Sequence, residues 1–195
     1  MKKIKLDIGC GPRKRSPEHI GIDRLSCPQV DIVLDLESEK LPFPNNSVDE
    51  ILASHILEHI KNYLPLVREM WRVLKQDGRL EVAVPHYLHE SATTDPTHVR
   101  KFTRRSFHFF DERKVEFRET GWYLDISRFK IEEIKETEKE IAYNLKAKKR
   151  NILFVGPSSS VHTKRWKEYI AATSNRVIVA SRVKKDFADL ELGNR

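Results

Sequence analysis

The sequence predicts an α/β protein built on a doubly wound, mainly parallel sheet. Three observations predict it. Short apolar runs alternate with helix-like or loop-like stretches as far as Pro85, the pattern of a parallel sheet with covered faces. Three of the seven glycines, Gly9, Gly11 and Gly21, fall at the very start of the chain, where backbone must bend tightly or approach something closely. Acids stand at or near the ends of the first three candidate strands, at Asp7, Asp23 and Asp35. In an open α/β sheet such strand ends face one crevice.

The elements follow in order. Lys5–Ile8 is a short strand running into the turn Gly9-Cys10-Gly11-Pro12. His19–Asp23 and Asp31–Leu36 read as the second and third strands, each ending near an acid. Leu41 to Ser47 is a loop rich in proline and asparagine, and Val48–Ser54 a fourth strand. Tyr63–Lys75 reads as a helix, with Leu66, Val67, Met70, Val73 and Leu74 on one face. Gln76-Asp77-Gly78 ends it, with Gly78 at the left-handed cap. Arg79–Val84 is a fifth strand, stopped by Pro85. Beyond that the pattern is weaker. Phe102–Phe110 is expected as a short helix, and Tyr123–Ser127 with Phe129–Glu136 as late strands forming a hairpin. Lys146 to Arg150 is a basic run that reads as a linker or solvated helix end. The alternation then restarts: strand Asn151–Val155, small-residue loop Gly156 to Ser160, helix Thr163–Ala172 and strand Arg176–Ala180.

This restart explains an awkward length. The chain has 195 residues, whereas one small α/β domain takes roughly 100–150. The expected organisation is a complete domain over residues 1–145, a linker over 146–150, and an unfinished βαβ-like segment over 151–195. The net charge of +7 divides along the same line, +3 before residue 151 and +4 after it. Neither part has a long basic tract, so a nucleic-acid partner is not expected. No apolar run approaches the ~18 residues of a membrane helix, and the N-terminus has no apolar core of a signal peptide. Two cysteines, Cys10 and Cys27, make no disulfide framework. A reduced, cytoplasmic setting is expected, with the oligomeric state left open.

The chemistry concentrates in the first turn. Glycines at a strand-to-helix turn let backbone approach a ligand, but a dinucleotide fingerprint needs glycine at position 14, which is Lys14. An acid two residues before Gly9 instead suits a ligand with a cationic amine. Asp23 can accept both hydroxyls of a ribose, and Asp35 could hold an adenine edge. A tight turn without a ligand, and strand-end caps, are the simpler alternatives for each taken alone.

The run Asp7-Ile8-Gly9-Cys10-Gly11-Pro12, followed by Ile20-Gly21-Ile22-Asp23, Asp31–Leu36, Leu41-Pro42-Phe43-Pro44, Ser54-His55-Ile56-Leu57-Glu58-His59 and Glu69-Met70-Trp71-Arg72-Val73-Leu74, resembles class I S-adenosylmethionine-dependent methyltransferases of the type 11 group. The resemblance covers about residues 4–110. It implies a Rossmann-like methyltransferase sheet with S-adenosylmethionine as cofactor. It implies Gly9 and Gly11 against the methionine part, with Cys10 in the same turn and Asp7 near the amino end. It implies Asp23 on the ribose, Asp35 and Leu36 beside the adenine, and Ser54 and His55 near the sulfonium and the substrate. The chain departs from the family in that Asp7 and Asp23 are only 16 positions apart, which leaves almost no first helix, and in having Arg13 where a further glycine is usual. Short first connections of this kind resemble methyltransferases of surface-polysaccharide synthesis.

Other motifs compete or complement. His55-Ile56-Leu57-Glu58-His59 matches the inverted zinc-protease pattern H-x-x-E-H. That site needs a third ligand on a following helix, no candidate helix is visible, and no metal is expected. His86, His89, Glu90, Asp95 and His98 form a polar cluster after the fifth strand. A histidine near neutral pKa can act as general base, so His55, His86 and His98 are the candidate catalytic residues. His98 also resembles the histidine of a Pro-x-His segment in the family. Cys10 has no neighbouring histidine and reads as a small turn residue rather than a nucleophile. The stretch Asn151 to Trp166 resembles the start of a GT-B type glycosyltransferase. Its donor-binding half does not follow, so glycosyl transfer is not expected. The expected function is methyl transfer to a small molecule or glycan precursor. The alternatives are a non-catalytic cofactor-binding module and a fragment of a methyltransferase–glycosyltransferase fusion.

Overall fold

A computed structural model describes residues 2–121, 127–149, 152–155 and 177–180. Two compact units divide at Lys149 and Arg150. The first holds a seven-stranded sheet: β1 Lys5–Ile8, β2 Ile20–Asp23, β3 Ile32–Val33, β4 Val48–Ser54, β5 Leu74–Pro85, β6 Phe129–Glu136 and β7 Glu140–Ala147. Their spatial order is β3-β2-β1-β4-β5-β7-β6. β1 to β5 pair in parallel, and β7 runs antiparallel to β5 and β6. This is the expected α/β sheet, closed at one side by an antiparallel hairpin. Leu6, Ile8, Ile22, Ile51 and Val82 are fully buried, as central parallel strands with both faces covered require.

Strand order reverses between β1 and β4, where β1 has β2 on one side and β4 on the other. Loops leaving the carboxyl ends of β1 and β4 therefore diverge and open a crevice. The connection from β1 to β2 contains no helix. Side chains order it instead: Lys14 Nζ pairs with Asp31 at 2.7 Å, the Lys14 N–H donates to Gln29 Oε1, and the Arg15 N–H donates to Asp7 Oδ2 at 2.7 Å.

The helix α1 spans Tyr63–Val73 and buries Leu66, Val67, Met70, Trp71 and Val73. Pro65 sits in its first turn, where no intrahelical N–H is lost. From α1, Arg72 donates to the carbonyls of Leu41 and Phe43 and to Asn45 Oδ1. That clamp fixes the proline-rich loop below β4.

Several expectations are corrected. The helix stops at Val73, and β5 begins at Leu74, five residues before the expected strand. The left-handed residue is Asp77, with φ 59°, not Gly78. A short polar side chain tolerates that region, so Gln76 to Gly78 bulge within β5 instead of capping α1. β3 has two residues, because beyond Leu34 the Asp35 carboxylate folds the chain into a turn. Phe102–Phe110 is not one helix: turns lead to a 3-10 turn at His108–Phe110. The hydroxyls of Thr103 and Ser106 bond the local amides and compete with helical pairing. β6 pairs with β7; residues 123–126 of the expected Tyr123–Ser127 strand lie outside the described residues. Lys146 and Ala147 belong to β7 and not to a linker, since Ile141, Tyr143, Leu145 and Ala147 alternate inward and are buried.

In the second unit, β8 Ile152–Val155 and β9 Val177–Ala180 pair in parallel, Ile152 opposite Val177. The expected Gly156 to Ser160 loop and the Thr163–Ala172 helix lie outside the described residues.

Candidate active-site cleft

A cleft of about 290 Å³ opens at the carboxyl ends of β1, β2 and β4. Its floor is the turn after β1. Gly9 and Gly11 both have positive φ, 68° and 54°, which glycine adopts without cost. A Cβ on Gly9 would lie 2.6 Å from the Ile56 side chain, so the β1 turn packs directly on the β4 loop. Among the described residues, a Cβ on Gly11 would meet nothing within 4 Å. The chain at Gly11 thus presents bare backbone to open space.

Asp23 closes one wall. Its Oδ2 accepts the Gly11 N–H at 2.9 Å and its Oδ1 the Leu25 N–H at 3.0 Å. Each carboxylate oxygen retains capacity for a second hydrogen bond. Asp35 and Leu36 line the cleft further out. The Asp35 carboxylate accepts from the Glu37 N–H and the Ser38 hydroxyl, and the Ser38 bond holds its pKa below the usual value. Leu34, Ile56 and Ile60 supply apolar walls.

His55 stands at the end of β4 with φ 53°, a strained conformation for a non-glycine residue. Its ring bridges two carboxylates, Nδ1 lying 3.3 Å from Glu58 Oε1 and Nε2 2.9 Å from Glu140 Oε2. The Glu58 bond is the larger cause that raises its pKa, burial opposes it, and Glu140 adds to it. β7 therefore contacts the cleft residue His55 through Glu140.

The remaining expected residues stand apart from this lining. Asp7 is buried with its carboxylate on the Arg15 N–H, and burial raises its pKa. The Cys10 sulfur lies behind the turn, where it would be 2.9 Å from a Cβ on Gly21. Burial first, then Asp7 and Asp23, push the Cys10 thiol up to about 11, which leaves it a poor nucleophile. Ser54 pairs with Ala83 within the sheet. His86 is buried at the end of β5, with Nε2 3.1 Å from Glu136 Oε1 and Nδ1 accepting the Leu88 N–H. His98 is nearly buried beside His59, ring centroids 4.7 Å apart.

Sequence reasoning passed over His59 and Thr97, which both line the cleft. The signal was present, since each sits inside a motif quoted for its neighbours. The H-x-x-E-H spacing places His55 and His59 on one helix face, but the segment is a 3-10 turn, Leu57–His59, following a left-handed residue. His59 turns toward Thr97, with Nδ1 2.8 Å from Thr97 Oγ1.

Residues 6–82 match the family described as "Methyltransferase domain". The "Uncharacterized methyltransferase YcgJ" of Bacillus subtilis is 39% identical over 75 residues, covering 33% of this chain and 29% of that protein. The match thus spans less than a third of that relative. The crystal structure of the YcgJ protein from Bacillus subtilis superimposes with a TM-score of 0.51 at 18% identity, covering 76% of this chain and 93% of that one. The [4+2]-cyclase SpnF superimposes equally well, TM-score 0.51 at 17% identity, over 75% of this chain and 74% of that one. The sheet has the Rossmann-like fold of these methyltransferase structures, and residues 6–82 carry the match to the methyltransferase-domain family. The cyclase is a reminder that this fold alone does not name a reaction.

Proposed function

We propose that the chain is an S-adenosylmethionine-dependent methyltransferase acting on a small molecule or glycan precursor, with its site in the cleft between the β1 and β4 loops. The observation that carries this reading is the convergence of Gly11, Asp23, Asp35 and Leu36 on one cleft. Bare backbone at Gly11 offers close approach, Asp23 offers carboxylate lone pairs to a ribose diol, and Asp35 with Leu36 forms an acid-and-apolar edge for adenine. These groups fit the cofactor. When bound, it supplies an electrophilic methyl group on a sulfonium.

The chain's own part is to align an acceptor and take one proton from it. His55 faces the cleft and is the first candidate for that role. His98 reaches the cleft only through His59 and Thr97, and His86 stands outside its lining. Asp7 acts by holding the Arg15 amide, and so supports the turn under the methionine part. The sugar-type acceptor rests on the short β1–β2 connection and on the glycosyltransferase-like pattern after Asn151.

Calorimetric titration with S-adenosylmethionine tests the proposal. Saturable binding that Asp23→Ala weakens strongly is expected. Absence of binding by the intact chain overturns it, and binding without turnover on any acceptor would favour a non-catalytic module.

A further inference from the structure

The 3-10 turn after β4 and the loop after the fifth strand bring three metal-binding side chains together. Glu58, His59 and His98 offer ligand atoms that all lie within 4.8 Å of one another. Glu58 is 1% exposed, yet among the described residues its Oε2 has no hydrogen-bond partner, and neither has the buried Nδ1 of His98. A buried carboxylate oxygen without a partner is costly. Two imidazoles and one carboxylate are a donor set that suits a divalent first-row ion such as zinc, cobalt or manganese. We propose that Glu58, His59 and His98 form a divalent-metal site at the edge of the cleft.

Proton bookkeeping supports it. The Thr97 hydroxyl donates its single hydrogen to Asp95 Oδ1 at 2.6 Å. Its oxygen must therefore accept at the 2.8 Å contact with His59, which places a hydrogen on His59 Nδ1. In the neutral ring Nε2 then carries the lone pair a metal takes. An imidazole whose second nitrogen bonds a polar group, itself held by a carboxylate, is the usual support of a metal ligand. Asp95 also lies 3.8 Å from His98 Nε2, and His55 lies against the other Glu58 oxygen. A tetrahedral ion with ligands at ~2.1 Å keeps them roughly 3.4 Å apart. Rotation of His98, carried on a loop, draws the set in to that spacing.

His59 and Thr97 line the cleft, so the ion's open positions face it. There it would hold an oxygen of the methyl acceptor and lower that oxygen's pKa. This role rests on the methyltransferase reading; the metal site itself does not.

The experiment uses the full chain without S-adenosylmethionine. Zinc chloride is titrated by calorimetry, and cobalt chloride by visible absorption. One ion per chain is expected, weakened about tenfold or more by Thr97→Val and further by His98→Ala and by Glu58→Gln, while His89→Ala leaves it unchanged. Circular dichroism checks that each variant is folded, and the exposed Thr97→Val keeps the test valid if a buried variant is not. No stoichiometric ion on the intact chain overturns the proposal, as does binding that survives Thr97→Val, Glu58→Gln and His98→Ala alike. A separate S-adenosylmethionine titration judges the methyltransferase reading, so metal binding without cofactor binding would sink that reading and leave this one standing.

Discussion

The parallel half of the sheet, β1 to β4, and the antiparallel hairpin of β6 and β7 use charge in opposite ways. In the parallel half, Asp23 and Asp35 end on an open cleft and retain lone pairs toward it. In the hairpin half, Asp111 is buried and wholly engaged, bonding the Ile131 N–H and the Arg113 guanidinium. Tyr143, fully buried in β7, sends its hydroxyl to the Thr103 carbonyl. One half spends its polar groups on what enters the cleft, and the other on its own closure. The lesson is that an acid at a strand end signals a site only where backbone around it is bare.

That contrast can be broken by substitution. The largest effect is expected from Asp23→Ala: S-adenosylmethionine affinity falls about 100-fold, or ~2–3 kcal/mol, measured by calorimetry. Unchanged affinity would displace the ribose from this wall. Asp111→Ala should lower stability by about 2–4 kcal/mol, because the buried Ile131 N–H loses its acceptor. Chemical denaturation reads that loss, and cofactor affinity should not move. If it does, the halves are coupled and the contrast fails. Gly11→Ala costs about 1 kcal/mol through its positive φ and puts a methyl group into the cleft. Affinity should drop about tenfold with only a small fall in Tm. Tyr143→Phe should cost about 1 kcal/mol and leave affinity intact. The smallest effect concerns acid. Burial would raise the pKa of Glu116, but a backbone hydrogen bond, Arg105 and His108 outweigh it and hold the carboxyl at about 2. Its unfolded value is ~4.3, so its contribution is complete above that pH and fades as pH falls toward about 2. Denaturation midpoints at pH 5 and pH 3 should differ less in Glu116→Gln than in the parent chain.

Much of this was legible in the sequence. Strand-end logic put Asp7, Asp23 and Asp35 on one crevice beside the Gly9–Gly11 turn; Asp23, Asp35 and both glycines line it, and strand β4 matches its expected bounds. What escaped was set by tertiary partners. Asp7 looked like a ligand-binding acid, but the missing first helix leaves the Arg15 amide without an intrahelical partner, and Asp7 supplies one. The H-x-x-E-H spacing implied a helical face, but His55 enters the left-handed region and turns Glu58 and His59 toward His98. No local pattern announces a contact between residues forty positions apart. β7 was missed for a different reason: its alternation from Ile141 to Ala147 was readable, but the basic run that overlaps it drew the eye to a linker.

The helix-free connection between β1 and β2 carries a dynamic consequence. A helix there would share its hydrogen bonds among its own turns and fray from its ends. This segment hangs instead on separate fasteners at Lys14–Asp31, Lys14–Gln29 and Arg15–Asp7. Its amides should exchange with deuterium by a local opening far cheaper than global unfolding, and concentrated salt should speed that opening by screening the exposed ion pair. Occupancy of the cleft would fasten the same segment from its other side, so protection of these few amides is a direct gauge of a ligand in place.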